Sequence, residues 1–514
     1  MLTLFSTYKR PESAVLLLSL LIPMVILVSS WSTPIVDSYG FRQTQTALTS
    51  YWISKSTNWL EFITPVFGHP WSVPMEYPIF QILVNLLSSG TSISLENAAR
   101  IISVAAFYSA MWSFKSLLGG TLRDHRVFYA FYLSSPILGF YSSRVLIESF
   151  SFFLCITVLS AFVVLINRVT LKNMSFFVFM CVLAGLQKIT GLMSVLIGCG
   201  VYSLFFLVAQ DKKRAVILAS QLGVLVAFAV AIPVGWVLYS DDYKTQYYVT
   251  SFLSSDSLSS WNYGNLLQRL NPYYLAKVFG FRMVLLGGVA ILLLRCLLYK
   301  FRPFSANAIA ISSLAAGISG PLIFFNLYLV HEYYLVASVG FVGLGLYLLV
   351  NPKVYRFKRI RISNSYLVAG TLSVNLLMLS FWYMPKIGVI PPSHTAMYSV
   401  ALKLKEVVRP DEVILTVGVD WDSTIPYFSQ RYAIMLPSWH LNDYTPVSEG
   451  EYFSPLAVLE NIEFYLAGRN LGAIVICKTR AASDDILAVD YILDTWKLDW
   501  QEDGECRYGI NYEY

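Results

Sequence analysis

Apolar runs of about 20 residues recur along this chain with short polar breaks between them, and each is long enough to carry a helix across a hydrocarbon core about 30 Å thick. Candidate spans are residues 14–32, 98–118, 127–143, 148–167, 174–188, 190–209, 215–239, 277–298, 305–326, 333–351 and 365–384, about eleven helices in all. Composition agrees, because 56% of the 514 residues are hydrophobic and 13% are charged, against roughly 25% charged in an average soluble domain. A soluble fold would leave most of that apolar surface uncovered. The net charge of +6 does not mark a nucleic-acid binder, since the basic residues sit in short clusters between apolar runs and share no polar face.

Those clusters read as topology signals. Lys9/Arg10, Arg123/Arg126, Arg168/Lys172, Lys212/Lys213/Arg214, Lys300/Arg302 and the run Lys353, Arg356, Lys358, Arg359, Arg361 all fall on one side if every span crosses once. Positive residues are retained in the cytoplasm, so the expected N-terminus is cytoplasmic and the expected C-terminus external. The first apolar run lacks a clear A-x-A site and reads as a retained helix rather than a cleaved signal peptide.

Two of the expected external loops are long. The first, residues 33–97, contains apolar-aromatic stretches near 44–60 and 77–90, which read as helices lying in the membrane interface. The second, residues 240–276, carries Asp241, Asp242, Tyr247 and Tyr248. The aromatics Trp52, Trp59, Trp71, Tyr247, Tyr248 and Trp261 are expected to form an interfacial belt.

The spans and the first loop make one transmembrane domain, residues 1–384. Residues 385–514 have the composition of a soluble α/β domain outside the membrane. Its expected elements are a helix at 394–408, a strand at 412–417, a helix at 454–468, a strand at 472–477, a helix near 482–496 and a terminal strand pair. No GxGxxG or P-loop occurs in it, so no nucleotide site is expected. Cys155, Cys181, Cys199 and Cys296 lie in apolar runs, whereas Cys477 and Cys506 fall in the polar C-terminal region; if that region faces an oxidising compartment they are free to pair, and the sequence leaves open whether they do. The 418–432 segment, with Asp420, Trp421, Asp422 and Arg431 after a strand, reads as a turn with a helix cap, or as a site of acceptor recognition.

Chemistry concentrates in the first loop. Asp37 stands just beyond the first span, and Arg42, Gln43, Thr44, Gln45 and Thr46 make a polar run at membrane level. Farther on, Glu76 immediately precedes an apolar helix. A charged residue at a helix end needs no function, but carboxylates beside one membrane face fit general-base or metal-ligand work. Arg144, Lys188 and His331 lie at the expected external ends of other spans. Cationic side chains snorkel to interfaces readily; three donors on one face also suit an anionic phosphate, because charge-assisted hydrogen bonds are short and strong.

The sequence resembles the GT-C glycosyltransferases, in the branch of the protein mannosyltransferases and the lipid A aminoarabinose transferases. The resemblance rests on Asp37, on Phe41-Arg42-Gln43-Thr44-Gln45-Thr46-Ala47 and on Glu76-Tyr77-Pro78 in the first loop. YSSRVLIESF at 141–150 adds Arg144 and Glu148, GLQKITGL at 185–192 adds Lys188, and VHEYYL at 330–335 adds His331, Tyr333 and Tyr334. Bacterial relatives carry Trp and Asp where this chain has Phe41 and Gln45. No cofactor is therefore assigned, and a divalent cation is not assumed.

The resemblance implies a mainly α-helical polytopic GT-C membrane protein with an external C-terminal α/β domain, set in a bacterial inner membrane. It implies transfer of a sugar from a polyprenyl phosphate to a hydroxyl on a lipid, a glycan or a protein, with inversion at the anomeric carbon. Asp37 is the expected base and Glu76 its support; Arg42, Arg144, Lys188 and His331 are the expected phosphate ligands, with Gln43, Glu148, Tyr333 and Tyr334 as further substrate contacts. A transporter or flippase for lipid-linked sugars is the rival reading, and a non-catalytic envelope component is a third.

Overall fold

In the computed structural model the residues described are 11–119, 124–208, 210–247, 253–255, 270–303, 307–356, 362–419, 421–436, 455–477 and 483–511. They form two compact units, each built from separated stretches of chain. The first comprises Met1–Ser32, Arg100–Trp236 and Asp256–Pro385; the second comprises Thr33–Ala99, Val237–Ser255 and Lys386–Tyr514. Lys9, Arg10, Arg123, Tyr248, Trp261, Lys358, Arg359, Arg361 and Asp420, each singled out in the sequence, lie outside the described residues.

Among the described residues, six helices are long and apolar enough to cross a bilayer: Leu95–Leu118, Glu148–Asn167, Ile189–Val208, Lys212–Gln246, Glu332–Leu349 and Asn364–Lys386. Leu16–Ser30, Leu171–Gln187 and Ala308–Ile323 are shorter apolar helices on expected spans. Exposed side chains such as Val224 and Phe228, at 72% and 68%, mark surfaces suited to lipid. Where lipid supplies no hydrophobic drive between helices, close backbone approach holds them together. Ile189–Val208 meets Ala308–Ile323 at Gly198, where an added Cβ would stand 2.7 Å from the Ser312 carbonyl oxygen. Ala308–Ile323 meets Glu332–Leu349 at Gly317, where a Cβ would stand 2.7 Å from Val342. Strands β1 (Tyr299–Phe301) and β2 (Val350–Tyr355) form a small antiparallel ribbon.

Two expected spans are broken rather than continuous. The 277–298 run divides into Pro272–Leu286 and Ala290–Leu298, bent by 86° at Gly287 and Gly288, the latter at φ +74°. Its freed backbone is served by neighbours, as an apolar setting demands: Ser135 Oγ donates to the Gly287 carbonyl at 2.7 Å. The 127–143 run stops at Ser134 and restarts at Pro136, because proline supplies no amide to continue a helix and favours the first turn of a new one.

In the second unit a five-stranded sheet has the order β4-β3-β5-β7-β6, with β3 Val413–Val417, β4 Tyr432–Leu436, β5 Leu471–Cys477, β6 Asp499–Asp503 and β7 Cys506–Ile510. β3 pairs in parallel with β4 and β5, while β7 runs antiparallel to β5 and β6. Helices Pro392–Val407 and Ser483–Thr495 match expectation, and the 454–468 helix is split at Asn461. Strand β4 was not foreseen. A disulfide joins Cys477 to Cys506, which face each other in the β5–β7 register.

The opening loop is part of this unit. Pro65 and Val66 accept from the amides of Ala433 and Met435 at 3.1 and 2.8 Å, and Gly68 donates to the Ala433 carbonyl at 3.1 Å, so the loop closes the free edge of β4. Trp71 enters the sheet core with Val413, Leu415, Ile434 and Leu471. Trp52 and Trp71, only 2% and 8% exposed, are therefore core residues of a folded unit and not members of an interfacial belt.

Helix Gly40–Trp52 is buried on nearly every face and does not lie on a surface, unlike the amphipathic Ile79–Ser89, whose Leu83 and Leu86 are exposed. Its many hydroxyls tolerate burial because each returns to the helix's own backbone. Thr44, Thr46, Thr49 and Ser50 donate to the carbonyls of Gly40, Arg42, Gln45 and Thr46.

Candidate functional site

Asp37 sits in the turn before this buried helix and is 1% exposed. Tyr39 adopts a left-handed backbone, φ 59°, and the Gly40 amide donates to the Asp37 carbonyl at 2.9 Å, which turns the chain tightly into the helix. The Gln43 side-chain amide donates to Asp37 Oδ1 at 2.8 Å and to the Ser38 carbonyl at 3.0 Å. The Gly388 amide donates to Oδ2 at 3.1 Å. Each carboxylate oxygen is thus aimed by a donor from a different part of the unit, an arrangement that fixes a proton acceptor's direction.

One turn on, Arg42 donates to Gln45 and, at 2.6 Å, to Glu76. Together they line a small cleft with Thr46, Thr49, Met75 and Gln81. The two expected roles are therefore linked, because Glu76 already offsets the Arg42 charge. A phosphate at Arg42 would have to compete with that carboxylate.

The remaining candidates belong to the helical unit, in the turns between helices. Lys188, between Leu171–Gln187 and Ile189–Val208, donates to Glu148 Oε1 at 2.8 Å and stands 3.9 Å from the centre of the Tyr334 ring. Glu148 Oε2 is buried with no hydrogen-bond partner among the described residues. Tyr333 stacks on both Tyr334 and His331, at ring separations of 5.1 and 5.2 Å. Arg144 is fully buried, donates to Ser30 Oγ at 2.8 Å and lies over the Phe140 ring. The structure so brings Glu148, Lys188, His331, Tyr333 and Tyr334 into one continuous cluster, and places Arg144 inside the bundle rather than on a face.

The cluster also contains residues that sequence reasoning passed over. Glu332, 5% exposed, accepts from Tyr383 Oη at 2.6 Å and Tyr141 Oη at 3.2 Å, with Arg282 Nε 3.8 Å from its other oxygen. Arg282 also holds the carbonyls of Tyr328 and Leu329. A signal was available: Glu332 lies between His331 and Tyr333, and Arg282 interrupts an apolar run, where an ionisable residue is a functional candidate by default. Among the described residues no group of three or more His, Cys, Asp or Glu side chains is placed to hold a metal ion.

No protein-family model matches the chain, and no curated protein matches it by sequence. By structure it is similar to ArnT from Cupriavidus metallidurans. The apo form aligns with a TM-score of 0.58 at 13% identity, over 97% of this chain and 98% of that one. The form bound to undecaprenyl phosphate aligns with a TM-score of 0.59 at 14% identity, over the same shares. The chain therefore has the GT-C fold.

Proposed function

We propose that this protein is an integral membrane glycosyltransferase that moves a sugar from a polyprenyl phosphate to an acceptor hydroxyl outside the cytoplasm. The observation that carries the reading is Asp37: a buried carboxylate, held by Gln43 and Gly388, at the head of a buried polar helix in a chain with the GT-C fold. The fold likeness to a structure bound to undecaprenyl phosphate supports a polyprenyl donor. The Cys477–Cys506 disulfide supports placing the C-terminal sheet in an oxidising compartment, in line with the cytoplasmic N-terminus read from the basic clusters; the bacterial inner membrane is what the family resemblance implies.

In this reading Asp37 takes the proton of the acceptor hydroxyl as its oxygen attacks the anomeric carbon, and the bond to the lipid phosphate breaks on the opposite side. The departing phosphate is steadied by cations of the candidate set. Arg42 contributes with Glu76 as its counter-ion, and buried Arg144 acts by supporting the bundle around Ser30. Positioned general bases contribute about 10²- to 10⁴-fold. The direct test is Asp37→Asn in a reconstituted assay that follows release of polyprenyl phosphate from a panel of polyprenyl-phosphate sugars. Release should fall by at least about 100-fold with folding intact; unchanged release removes the base assignment.

A second reading, a transporter for lipid-linked sugars, is favoured by the buried charges of the helical unit and by the helix broken at Gly287 and Gly288, since transporters bind substrates at broken helices. Movement of a lipid-linked sugar across a vesicle membrane without release of polyprenyl phosphate would select it.

A further inference from the structure

The turn that carries Asp37 is held from the C-terminal part of the chain at three points, and one of them involves a histidine–carboxylate pair that the mechanism above does not use. Gly388, just before helix Pro392–Val407, supplies the amide on Asp37 Oδ2 at 3.1 Å. His394, in the first turn of that helix, lies flat enough against Gly40 that an added Cβ would stand 3.2–3.3 Å from its imidazole atoms. Trp421 meets Phe41 edge-on at 5.9 Å between ring centres.

His394 does not lean on Gly40 unsupported. Its Nε2 is 2.9 Å from Asp422 Oδ2, a close contact by distance whose geometry is not that of an aligned hydrogen bond. The other oxygen of Asp422 accepts from both the amide and the hydroxyl of Thr424, at 3.0 and 2.6 Å, so the carboxylate is fixed at the start of helix Thr424–Ser429. An unbroken chain of contacts runs from Thr424 through Asp422, His394 and Gly40 to the Asp37 carbonyl, which accepts from the Gly40 amide at 2.9 Å. A pair built only to cap Thr424–Ser429 would need Asp422 but not His394.

We propose that His394 and Asp422 are positioning residues for Asp37: they press the turn at Gly40 into place and so fix the direction of the Asp37 carboxylate. The proposal rests on the reading of Asp37 as the base for its catalytic meaning, although the mechanical claim stands by itself. Geometry of this kind matters because a misplacement of about 1 Å can cost roughly 100-fold in rate. It also explains why glycine occupies position 40, since any larger residue must displace the imidazole.

The test is hydrogen exchange on the full chain in lipid nanodiscs, read at the amides of Gly40, Arg42 and Gln43, which bond to the carbonyls of Asp37 and Tyr39. His394→Ala should raise their exchange about tenfold or more through local opening, while the β5 amides stay protected. His394→Gln keeps an N–H within reach of Asp422 and should stay near wild type. Gly40→Ala should produce a smaller rise, and no further rise when His394 is already alanine, because the ring it displaces is gone. Unchanged exchange in His394→Ala, or failure of glutamine to restore protection, overturns the proposal; so does full additivity of the Gly40 and His394 effects. Should alanine open the whole sheet, the comparison passes to Asp422→Asn, which must loosen the same amides while β5 remains protected. Asp37→Asn in the release assay decides the base assignment independently, so either idea fails without the other.

Discussion

Arg42 and Glu76, 34 residues apart in sequence, form an ion pair of 2.6 Å on the wall of a polar cleft. Both were read from the sequence as site residues, one as a phosphate ligand and one as support for the base. Their pairing makes the function of each depend on the other. The cleft they line is close to charge-balanced, with amides and hydroxyls from Gln45, Gln81, Thr46 and Thr49, which suits hydroxyl-bearing ligands better than a bare phosphate.

That pairing predicts a strongly non-additive cycle. Arg42→Ala and Glu76→Ala should each lower the melting temperature, and the double variant should lose less than their sum. Contacting groups of this kind couple by about 0.5 to 3 kcal/mol. Melting of detergent-solubilised protein measures it, and simple additivity would argue that the pair is a surface contact of no consequence.

Lys188 and Glu148 are a buried pair, with side chains 11% and 3% exposed. Replacing one partner strands the other charge, at a cost of about 3 to 5 kcal/mol in buried settings. Lys188→Met alone should therefore be poorly folded, and Lys188→Met with Glu148→Met should recover much of the stability. Recovered double variant that releases polyprenyl phosphate at the wild-type rate in the assay proposed above would remove Lys188 from the phosphate ligands.

Glu332 ranks its two tyrosines. Tyr383 lies at 2.6 Å and Tyr141 at 3.2 Å, and hydrogen bonds to charged groups contribute about 1.5 to 3 kcal/mol. Tyr383→Phe should destabilise more than Tyr141→Phe in thermal melting. The reverse order would overturn that ranking, and negligible effects of both would mean that the Glu332 carboxylate is held chiefly by Arg282.

The outer face of the sheet unit offers a pH test. Lys403 Nζ and Ser399 Oγ donate to Asp503 Oδ2 at 2.8 and 2.6 Å, and these bonds hold the Asp503 carboxyl below its ordinary value. A group lowered on folding contributes stability above its unfolded pKa, about 3.9, which is lost as pH falls through the native value. Lys403, raised chiefly by the same bond, contributes below its unfolded pKa, about 10.4, and loses that contribution as pH rises through the native value. Wild type and Asp503→Asn should thus differ slightly at neutral pH, by less than about 1 kcal/mol for so exposed a pair. Their melting temperatures should converge in acid. A constant gap down to the lowest accessible pH would assign the effect to packing.

How much of this was legible depended on whether the signal was local. The spans were, because about 20 apolar residues in a row have few alternatives, and β3 and β5 were, as short apolar runs between turns. The breaks at Gly287–Gly288 and Ser135–Pro136 carried the usual punctuation but were masked by the apolar residues around them. Strand β4, five residues long, was hidden because one of its two partners, the 65–68 segment of the opening loop, is remote in sequence. Helix Gly40–Trp52 reads as interfacial because its apolar and aromatic residues are too broken for a span; that the hydroxyls breaking them bond back to their own helix is not readable from polarity. At the candidate site the residue types in the opening loop were legible. Glu332 and Arg282 carried a signal, as charges in apolar surroundings, that their neighbours overshadowed; the His394–Asp422 pair carried none, since it acquires meaning only from contacts made by tertiary structure.

The strand of opening loop that completes the edge of β4 has a consequence for biosynthesis. Val66 bonds to Met435, so more than three hundred residues must emerge from the ribosome, and the intervening helices must enter the membrane, before the loop can find its sheet. Contacts of such long sequence separation form late and leave their members exposed to misassembly meanwhile. The turn bearing Asp37 is accordingly among the first parts of the protein to be made and among the last to be finished. A chain interrupted before residue 386 should insert its helices yet never acquire an ordered opening loop.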